Sequence, residues 1–356
     1  MKKNLLKIVG LVFICMIGYF YWIEYIQPVH FNDVRVKTAL LERLGHTADK
    51  ELSRSELKRL EGHLDLSNRR ITDLEGIQYC QNIEYIDLSN NQIENVAPLF
   101  ELTNLQEVSL RATRIENITG IKNFKNVTRL DLSTNKIGDI NEISYLEKID
   151  TLDISRNNIS DLSPLISLKN LKVLYGFGNE ITDLSPLSTL TRLEVLVLSD
   201  NRITDVSPLI NLTRLKSLSL SSNEIEDISA FQNLRNLEEI NISDNLISSI
   251  SLIENTGSLK RLRIRNNPIT DFEQPIYMIE NTDTKMVGLI LTTLLREKGI
   301  SYEENENAVI LKDYDNKQIS YKKSFDSVEV NLKEITDLSF YEALNRELWL
   351  RVIKSN

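Results

Sequence analysis

Residues 196–225 read LVLSDNRITDVSPLINLTRLKSLSLSSNEI, and this stretch decides the fold. Its segment LVLSDNRI at 196–203 returns as LSLSSNEI at 218–225, 22 residues later. Leucines that alternate with other residues predict a short strand at the start of each unit. Apolar residues then recur at every third position, which fits an extended or 3₁₀-like return path. One such unit cannot bury its apolar face alone, so the pattern predicts a stack of units.

The 22-residue step continues in both directions along the chain. An asparagine closes each strand segment, and the series is Asn91, Asn135, Asn157, Asn179, Asn201, Asn223, Asn245 and Asn267. Thr113 and Arg69 hold the equivalent positions of two further units. Because an asparagine side chain both donates and accepts hydrogen bonds, we expect a ladder that satisfies backbone groups where the chain turns. Thr113 can replace part of that bonding, whereas Arg69 is predicted at a solvated edge of the first unit.

These repeats resemble the 22-residue repeats of bacterial internalins. The phrases ITDLSPL at 181–187 and ITDVSPL at 203–209 carry the resemblance, and FNDVRVKTALLERLG at 31–45 resembles the helical cap before internalin repeats. Asn32 or Asp33 can cap that helix and Gly45 can end it, while Ser53 and Glu56 have capping-box spacing. The resemblance covers about residues 31–272. It implies an α/β repeat solenoid, a leucine-rich-repeat horseshoe with a concave parallel sheet that recognises a ligand.

The sequence also departs from the internalin pattern. We find no LPxTG-type sorting signal, and no run of short strands like the immunoglobulin-like domain that follows internalin repeats. Wall anchoring and host-cell invasion are therefore not expected. We divide the chain into a signal anchor at 1–28, a helical cap at 29–62, repeats at 63–275 and a small α+β C-terminal cap at 276–356.

The N-terminal segment reads as a membrane anchor. Lys2, Lys3 and Lys7 precede an apolar run over residues 8–23 that ends in aromatic residues. Residues 5–26 together approach the length that a spanning helix needs. Bulky aromatics stand where a cleavable signal peptide would carry small residues, and they suit a membrane interface. We expect a single-pass protein with an extracytoplasmic repeat tract; the alternative is a cleaved peptide and a secreted protein.

The C-terminal segment departs from the repeat after residue 269. Residues 283–298 predict an amphipathic helix, and AVILKDY and QISYKKSF flank a turn at Asp315 and Asn316, as in a hairpin. VEVNLKEITDL at 328–338 returns to the repeat phase, three periods after Asn267. It is either a degenerate closing repeat or part of a small α/β cap. In both cases the segment shields the last repeat.

Composition narrows the function class. The chain has 356 residues and is 41% hydrophobic, which is enough apolar material to form an ordered core. Its net charge of −9 disfavours binding to nucleic acid, because phosphate contacts need clustered positive charge. Of its two cysteines, Cys15 lies in the anchor and Cys80 in a core slot of the repeat, so no disulfide is expected. No nucleophile elbow or phosphate loop occurs. We therefore predict a binding protein that is not an enzyme, without cofactor or metal.

Two groups are the candidate binding residues of the concave face. The first is an apolar patch of Val173, Tyr175, Phe177, Val195 and Val197, since exposed apolar surface marks interaction sites. The alternative is that Phe177 turns inward, because Gly176 stands where a core leucine belongs. The second group is Arg261, Arg263 and Arg265, which can hold an acidic partner. Pairing with Glu239 or with acidic residues of the tail is the alternative for these arginines.

Two functions compete at this stage. The first is an outward-facing recognition module that binds a protein, or a glycan, on the concave face. The second is a non-catalytic envelope scaffold that acts through its anchor and its C-terminal segment.

Overall fold

The structure is a computed structural model, and it describes residues 2–249, 259 and 261–268 together with five strands between residues 276 and 331. Side chains are described for residues 12–249, 259 and 261–268. The chain divides into two compact units, Met1–Leu193 and Glu194–Asn356. Residues 283–298, for which the sequence predicts a helix, lie outside the described residues.

The first unit begins with α1, an α-helix over Lys2–Tyr21, which continues as a π-helix over Trp22–Ile26. The apolar side chains near its end are exposed; Phe13, Ile14 and Phe20 are 64%, 67% and 73% accessible. Tyr19 stacks on Trp22. Among the described residues, no helix has both the length and the apolarity that a membrane crossing needs.

The helical cap consists of α2, Val34–Leu44, and α3, Arg54–Leu57. Asp33 caps α2 by accepting a hydrogen bond from the backbone N–H of Arg35, and Gly45 ends the helix in the left-handed conformation. Ser53 and Glu56 form the predicted capping box. The cap is tied to the first repeat because Asp33 also accepts from the backbone N–H of Thr72 at 2.8 Å.

Asp33 makes the stability of the cap dependent on pH. Its carboxylate is buried, which opposes ionisation, but hydrogen bonds from Arg35 and Thr72 outweigh burial and lower the pKa of Asp33 from 3.8 to about 2. The contribution is complete above pH 4 and is lost as the pH falls towards 2. We expect Asp33→Asn to lower the free energy of unfolding by about 2 kcal/mol at pH 6. Denaturant unfolding at pH 6 and at low pH measures this; a difference from wild type that persists unchanged near pH 2 contradicts it.

Six parallel strands follow in the first unit, and each pairs with the next in sequence. Their registers join Asp87 to Ser109, Asp131 to Asp153 and Asp153 to Tyr175. The strands are β1 Glu61–Asp65, β2 Asn82–Asp87, β3 Glu107–Ser109, β4 Arg129–Asp131, β5 Thr151–Asp153 and β6 Val173–Tyr175. The return paths carry 3₁₀ helices at Ile77–Tyr79, Ala97–Glu101, Ile121–Asn123, Asn141–Tyr145, Ser163–Ser167 and Ser185–Leu187.

The predicted asparagine positions carry a regular set of hydrogen bonds. Asn157 is buried; its Oδ1 accepts from the Ile137 N–H at 2.9 Å, and its Nδ2 donates to the carbonyls of Leu132 and Ile154, both at 3.0 Å. In this unit Asn91, Asn135 and Asn179 make the same three kinds of bond. Each asparagine thus joins its own repeat to the preceding one.

Two repeats carry another residue, Thr113 or Arg69, at the asparagine position. Thr113 is fully buried, and its Oγ1 donates to the Leu110 carbonyl at 2.7 Å, which is one part of the asparagine pattern. Arg69 lies at the solvated edge, where its guanidinium pairs with Glu42 of α2 at 3.0 Å.

Cys80 is fully buried at its core position of the repeat, and burial raises the pKa of its thiol to about 12.

The second unit continues the same repeat with four parallel strands, β7 Val195–Val197, β8 Ser217–Ser219, β9 Glu239–Asn241 and β10 Arg261–Arg263. Its 3₁₀ helices are Ser207–Asn211 and Ser229–Asn233. The apolar residues that recur along the 196–225 stretch form the core of this unit. The buried side chains are Leu196, Leu198, Ile203, Val206, Leu209, Leu212 and Leu215. Asn223, Asn245 and Asn267 extend the ladder, and Asn201 donates to the carbonyl of Leu198.

A second, antiparallel sheet belongs to the C-terminal segment. Its strands are β11 Ile276–Glu280, β12 Tyr302–Asn305, β13 Ala308–Leu311, β14 Lys317–Lys323 and β15 Ser327–Asn331, in the order β11–β15–β14–β13–β12. β13 and β14 pair as the predicted hairpin does. β15 pairs antiparallel with β11 on one side and with β14 on the other.

Candidate functional site

The open face of the parallel sheet, expected to be concave, carries the strand side chains that do not enter the core. In the first unit two in-register columns of side chains run across this face. One column is His63, Tyr85, Glu107, Arg129, Thr151 and Val173, and the other is Asp65, Asp87, Ser109, Asp131, Asp153 and Tyr175. His63 and Tyr85 have ring centroids 4.2 Å apart, and Arg129 pairs with Glu107.

The apolar part of this face in the first unit is Val173, Tyr175 and Phe177, all three half-buried. The ring of Phe177 lies under the guanidinium of Arg156, with 5.2 Å between the Arg156 Cζ and the ring centroid. Gly176 beside it is buried. Phe177 therefore stays at the surface in a cation–π contact and does not fill the core position of Gly176.

Arg156 is a surface neighbour that the sequence reasoning missed. It holds the left-handed conformation, with φ of 53°, at the position directly before Asn157. The equivalent position of the next repeat is Gly178, and a Cβ there would lie 3.3 Å from the Arg156 Cγ. The recurring LxLSxN phrase marks these two positions as turn residues, but it does not show that an arginine at one repeat covers an aromatic ring of the next.

Aspartates dominate the column that leads to Tyr175. Each of Asp65, Asp87, Asp131 and Asp153 accepts from the backbone N–H two residues further on, at 2.8 to 2.9 Å. Burial raises the pKa of Asp153, and the nearby carboxylate of Asp131 adds to that rise. Among the described residues no three acidic, histidine or cysteine side chains are grouped to hold a metal ion. The aspartates thus stabilise turns and also give this face a negative character.

In the second unit the open face begins with Val195 and Val197, both half-buried, followed by small polar residues. The hydroxyls of Ser199 and Ser219 lie 2.8 Å apart, and the Ser221 hydroxyl donates to Ser199 at 3.0 Å. The two valines are the large apolar side chains on the open face of these strands, and the serines beside them bond to one another.

Arg261 and Arg263 lie on β10 and Arg265 follows it; all three side chains are exposed. Arg261 pairs with Glu239 of the neighbouring strand, as the alternative for these residues anticipated. Arg265 lies 3.7 Å from Asp244, and Arg263 also has an interaction partner. At least part of the charge on this strand therefore balances acids of the preceding repeat.

The parallel strands, the buried asparagine ladder and the single-sided polar face define a leucine-rich-repeat protein. Family models described as leucine-rich repeats match residues 63–101, 125–140, 147–189, 176–211, 191–233 and 213–269. Among solved structures, internalin C2 of Listeria monocytogenes is 32% identical, covers 66% of this chain and 96% of its own, and gives a TM-score of 0.51. The internalin InlF of the same organism is 26% identical, with coverages of 69% and 81% and a TM-score of 0.61.

The chain belongs to the internalin-like class of leucine-rich-repeat proteins. No curated protein sequence matches it. The resemblance that the repeat phrases and the cap indicated is thereby confirmed, and so is the fold class. The solved internalins match about two thirds of the chain.

Proposed function

We propose that this protein is an outward-facing recognition module that binds another protein through the open face of its repeats. The observation that carries the proposal is the half-exposed side chains of Tyr175 and Phe177, of which the Phe177 ring is held by Arg156 of the neighbouring repeat. Tyrosine and arginine are over-represented among the residues that dominate binding energy in protein interfaces. A ring already held by a cation–π contact loses little conformational entropy on binding, which favours affinity.

The rigid arrangement of the strands supports the same proposal. Val173 and Tyr175 lie on β6, whose register with β5 is fixed by the parallel ladder and by the Asn179 amide, which donates to the Ile154 carbonyl of the preceding repeat. A pre-formed surface of this kind does not need to fold around its ligand. In the second unit, Val195 and Val197, and the arginines Arg261, Arg263 and Arg265, are further candidate contacts of the open face.

We expect the double variant Tyr175→Ser, Phe177→Ser to lose at least 90% of partner capture, because two anchor side chains of this kind contribute about 2 kcal/mol or more each. The measurement is affinity capture with the full chain as bait, quantified by mass spectrometry. The matched control is Tyr145→Ser, since Tyr145 is 59% exposed on a 3₁₀ helix of the same unit. Equal loss in the control, or equal capture by wild type and the double variant, would contradict the proposal.

We further propose that residues 5–26 hold the chain in a membrane, with the repeats on the extracytoplasmic side. The support is the lysine-rich start, the exposed apolar side chains of α1, and the aromatic residues that end it. After extraction of cell membranes with alkaline carbonate, we expect the full chain in the pellet and a chain lacking residues 2–28 in the supernatant. A mature protein whose N-terminus begins near residue 28 would instead establish the secreted form.

A further inference from the structure

A polar cleft of about 540 Å³ lies in the first unit, beside the N-terminal ends of the parallel strands and away from Tyr175. Apart from Glu61, its lining comes from the same two positions of successive repeats. One position contributes Asn82, Asn104 and Asn126, followed by Lys148. The cleft has the size of a small-ligand site.

The asparagines of the cleft form a second ladder, distinct from the buried one. The Nδ2 of Asn82, Asn104 and Asn126 donates to the backbone carbonyls of Lys58, Gln81 and Thr103, at 2.7 to 2.9 Å. This bond consumes one N–H of each amide and fixes the plane of the side chain. Asn82 and Asn104 are exposed, and within the described residues their Oδ1 atoms accept no hydrogen bond. They are thus fixed acceptors about one strand spacing, ~4.8 Å, apart.

The second row of the cleft adds groups that bond in both directions. The Gln106 side chain makes no hydrogen bond within the described residues, so both its carbonyl and its amino group are free. The Thr128 hydroxyl donates to the Gln106 backbone carbonyl at 3.3 Å and keeps its lone pairs. Glu84 contributes a carboxylate to the same row.

The charges of the cleft exclude strongly charged ligands. Glu61 and Glu84 lie at one end, and Lys148, which donates to the Asn126 Oδ1 at 2.6 Å, lies at the other. Three charges of mixed sign do not make the basic surface that a phosphate chain requires. All eight lining residues are polar or charged, so a ligand that binds through apolar side chains finds no pocket for them.

We infer that this cleft binds a neutral oligosaccharide. A row of fixed acceptors needs a ligand with a row of donors, and sugar hydroxyls supply donors and acceptors at short, regular intervals without charge. Successive sugar rings would lie along the repeats, bonding to Asn82, Asn104 and Gln106. The cleft and the aromatic face are separate surfaces of the first unit, so this inference stands or falls independently of the proposed protein partner.

The test uses the full chain in a detergent without sugar headgroups, applied to an array of immobilised oligosaccharides and then titrated calorimetrically with the neutral oligosaccharide that binds. We expect Gln106→Ala to weaken binding about fivefold, since it removes a side chain that would bond to the sugar. Because the Gln106 side chain makes no bond within the described part of the protein, this loss would report on binding and not on folding. Asn104→Ala should also weaken binding about fivefold. The matched control is Asn170→Ala, which removes the same type of bond to the preceding repeat, to Glu147 at 2.9 Å, outside the cleft.

Each outcome decides the inference. Neutral glycans bound by the wild type, with binding reduced in Gln106→Ala and Asn104→Ala but retained in Asn170→Ala, support it. An array that shows no binding, or binding of sulfated or sialylated glycans only, overturns it. Binding that all three variants retain, or that Asn170→Ala loses equally, moves any sugar site away from the cleft and overturns it too.

Discussion

Replacement of Asn157 by alanine is expected to lower the free energy of unfolding by about 4 kcal/mol. The change leaves the buried Ile137 N–H without a partner. It also removes one of two hydrogen bonds to each of the Leu132 and Ile154 carbonyls, which keep the bonds from Asn135 and Asn179, and each lost bond costs about 1 kcal/mol. An unsatisfied buried group costs about 1–3 kcal/mol, and water cannot reach the interior of the stack to replace the amide. Equilibrium denaturation followed by circular dichroism measures the effect.

Two further variants distinguish the loss of the buried ladder bonds from the loss of any asparagine side chain. Asn170→Ala removes an exposed amide whose bond to Glu147 water can replace, so its cost should be about 1 kcal/mol. Asn157→Thr should fall between the two, because a threonine at the equivalent position, Thr113, keeps one bond to a carbonyl. If Asn157→Ala cost no more than Asn170→Ala, the buried ladder would not be a main source of stability.

Replacement of Gly76 by alanine is the second large effect, with an expected loss of about 4 kcal/mol. Gly76 has φ of 102°, where a side chain is strained by about 1–3 kcal/mol. A Cβ there would lie 2.4 Å from the Phe31 Cδ1 and 2.9 Å from the His30 backbone oxygen. The ring can turn, but the backbone oxygen cannot, so the cap must shift from the first repeat at a further cost of about 1–3 kcal/mol.

Gly138→Ala is the control for this glycine. The conformation of Gly138 is not left-handed, and its nearest contact for a Cβ is the Asn158 backbone oxygen at 3.7 Å, an ordinary separation. Alanine there should change the free energy of unfolding by less than about 1 kcal/mol, in the stabilising direction, since it restricts the unfolded chain. Thermal unfolding of the two variants side by side measures the difference; similar melting temperatures would show that the cap does not press on Gly76.

The candidate face was predictable in position but not in detail. The alternation within each strand placed Val173, Tyr175 and Phe177 on the open face, and that is where they lie. The second asparagine ladder also had a signal, since Asn82, Asn104, Asn126 and Asn170 stand on the 22-residue lattice. That signal is weak because the surface positions of a repeat vary in residue type: Lys148 and Arg192 stand at the same repeat position as these asparagines.

The sequence by itself determined the period, the strands, the buried asparagines and the class of protein. It could do so because the contacts that stabilise a solenoid join neighbouring repeats and recur with the 22-residue period, so that the pattern in the chain is the pattern in space. Only the tertiary structure decided that Phe177 packs under Arg156, that Asp33 bonds to Thr72, and that residues 327–331 join an antiparallel sheet. The first of these contacts depends on which side chains two neighbouring repeats carry, and the other two join residues at separations that do not recur along the chain.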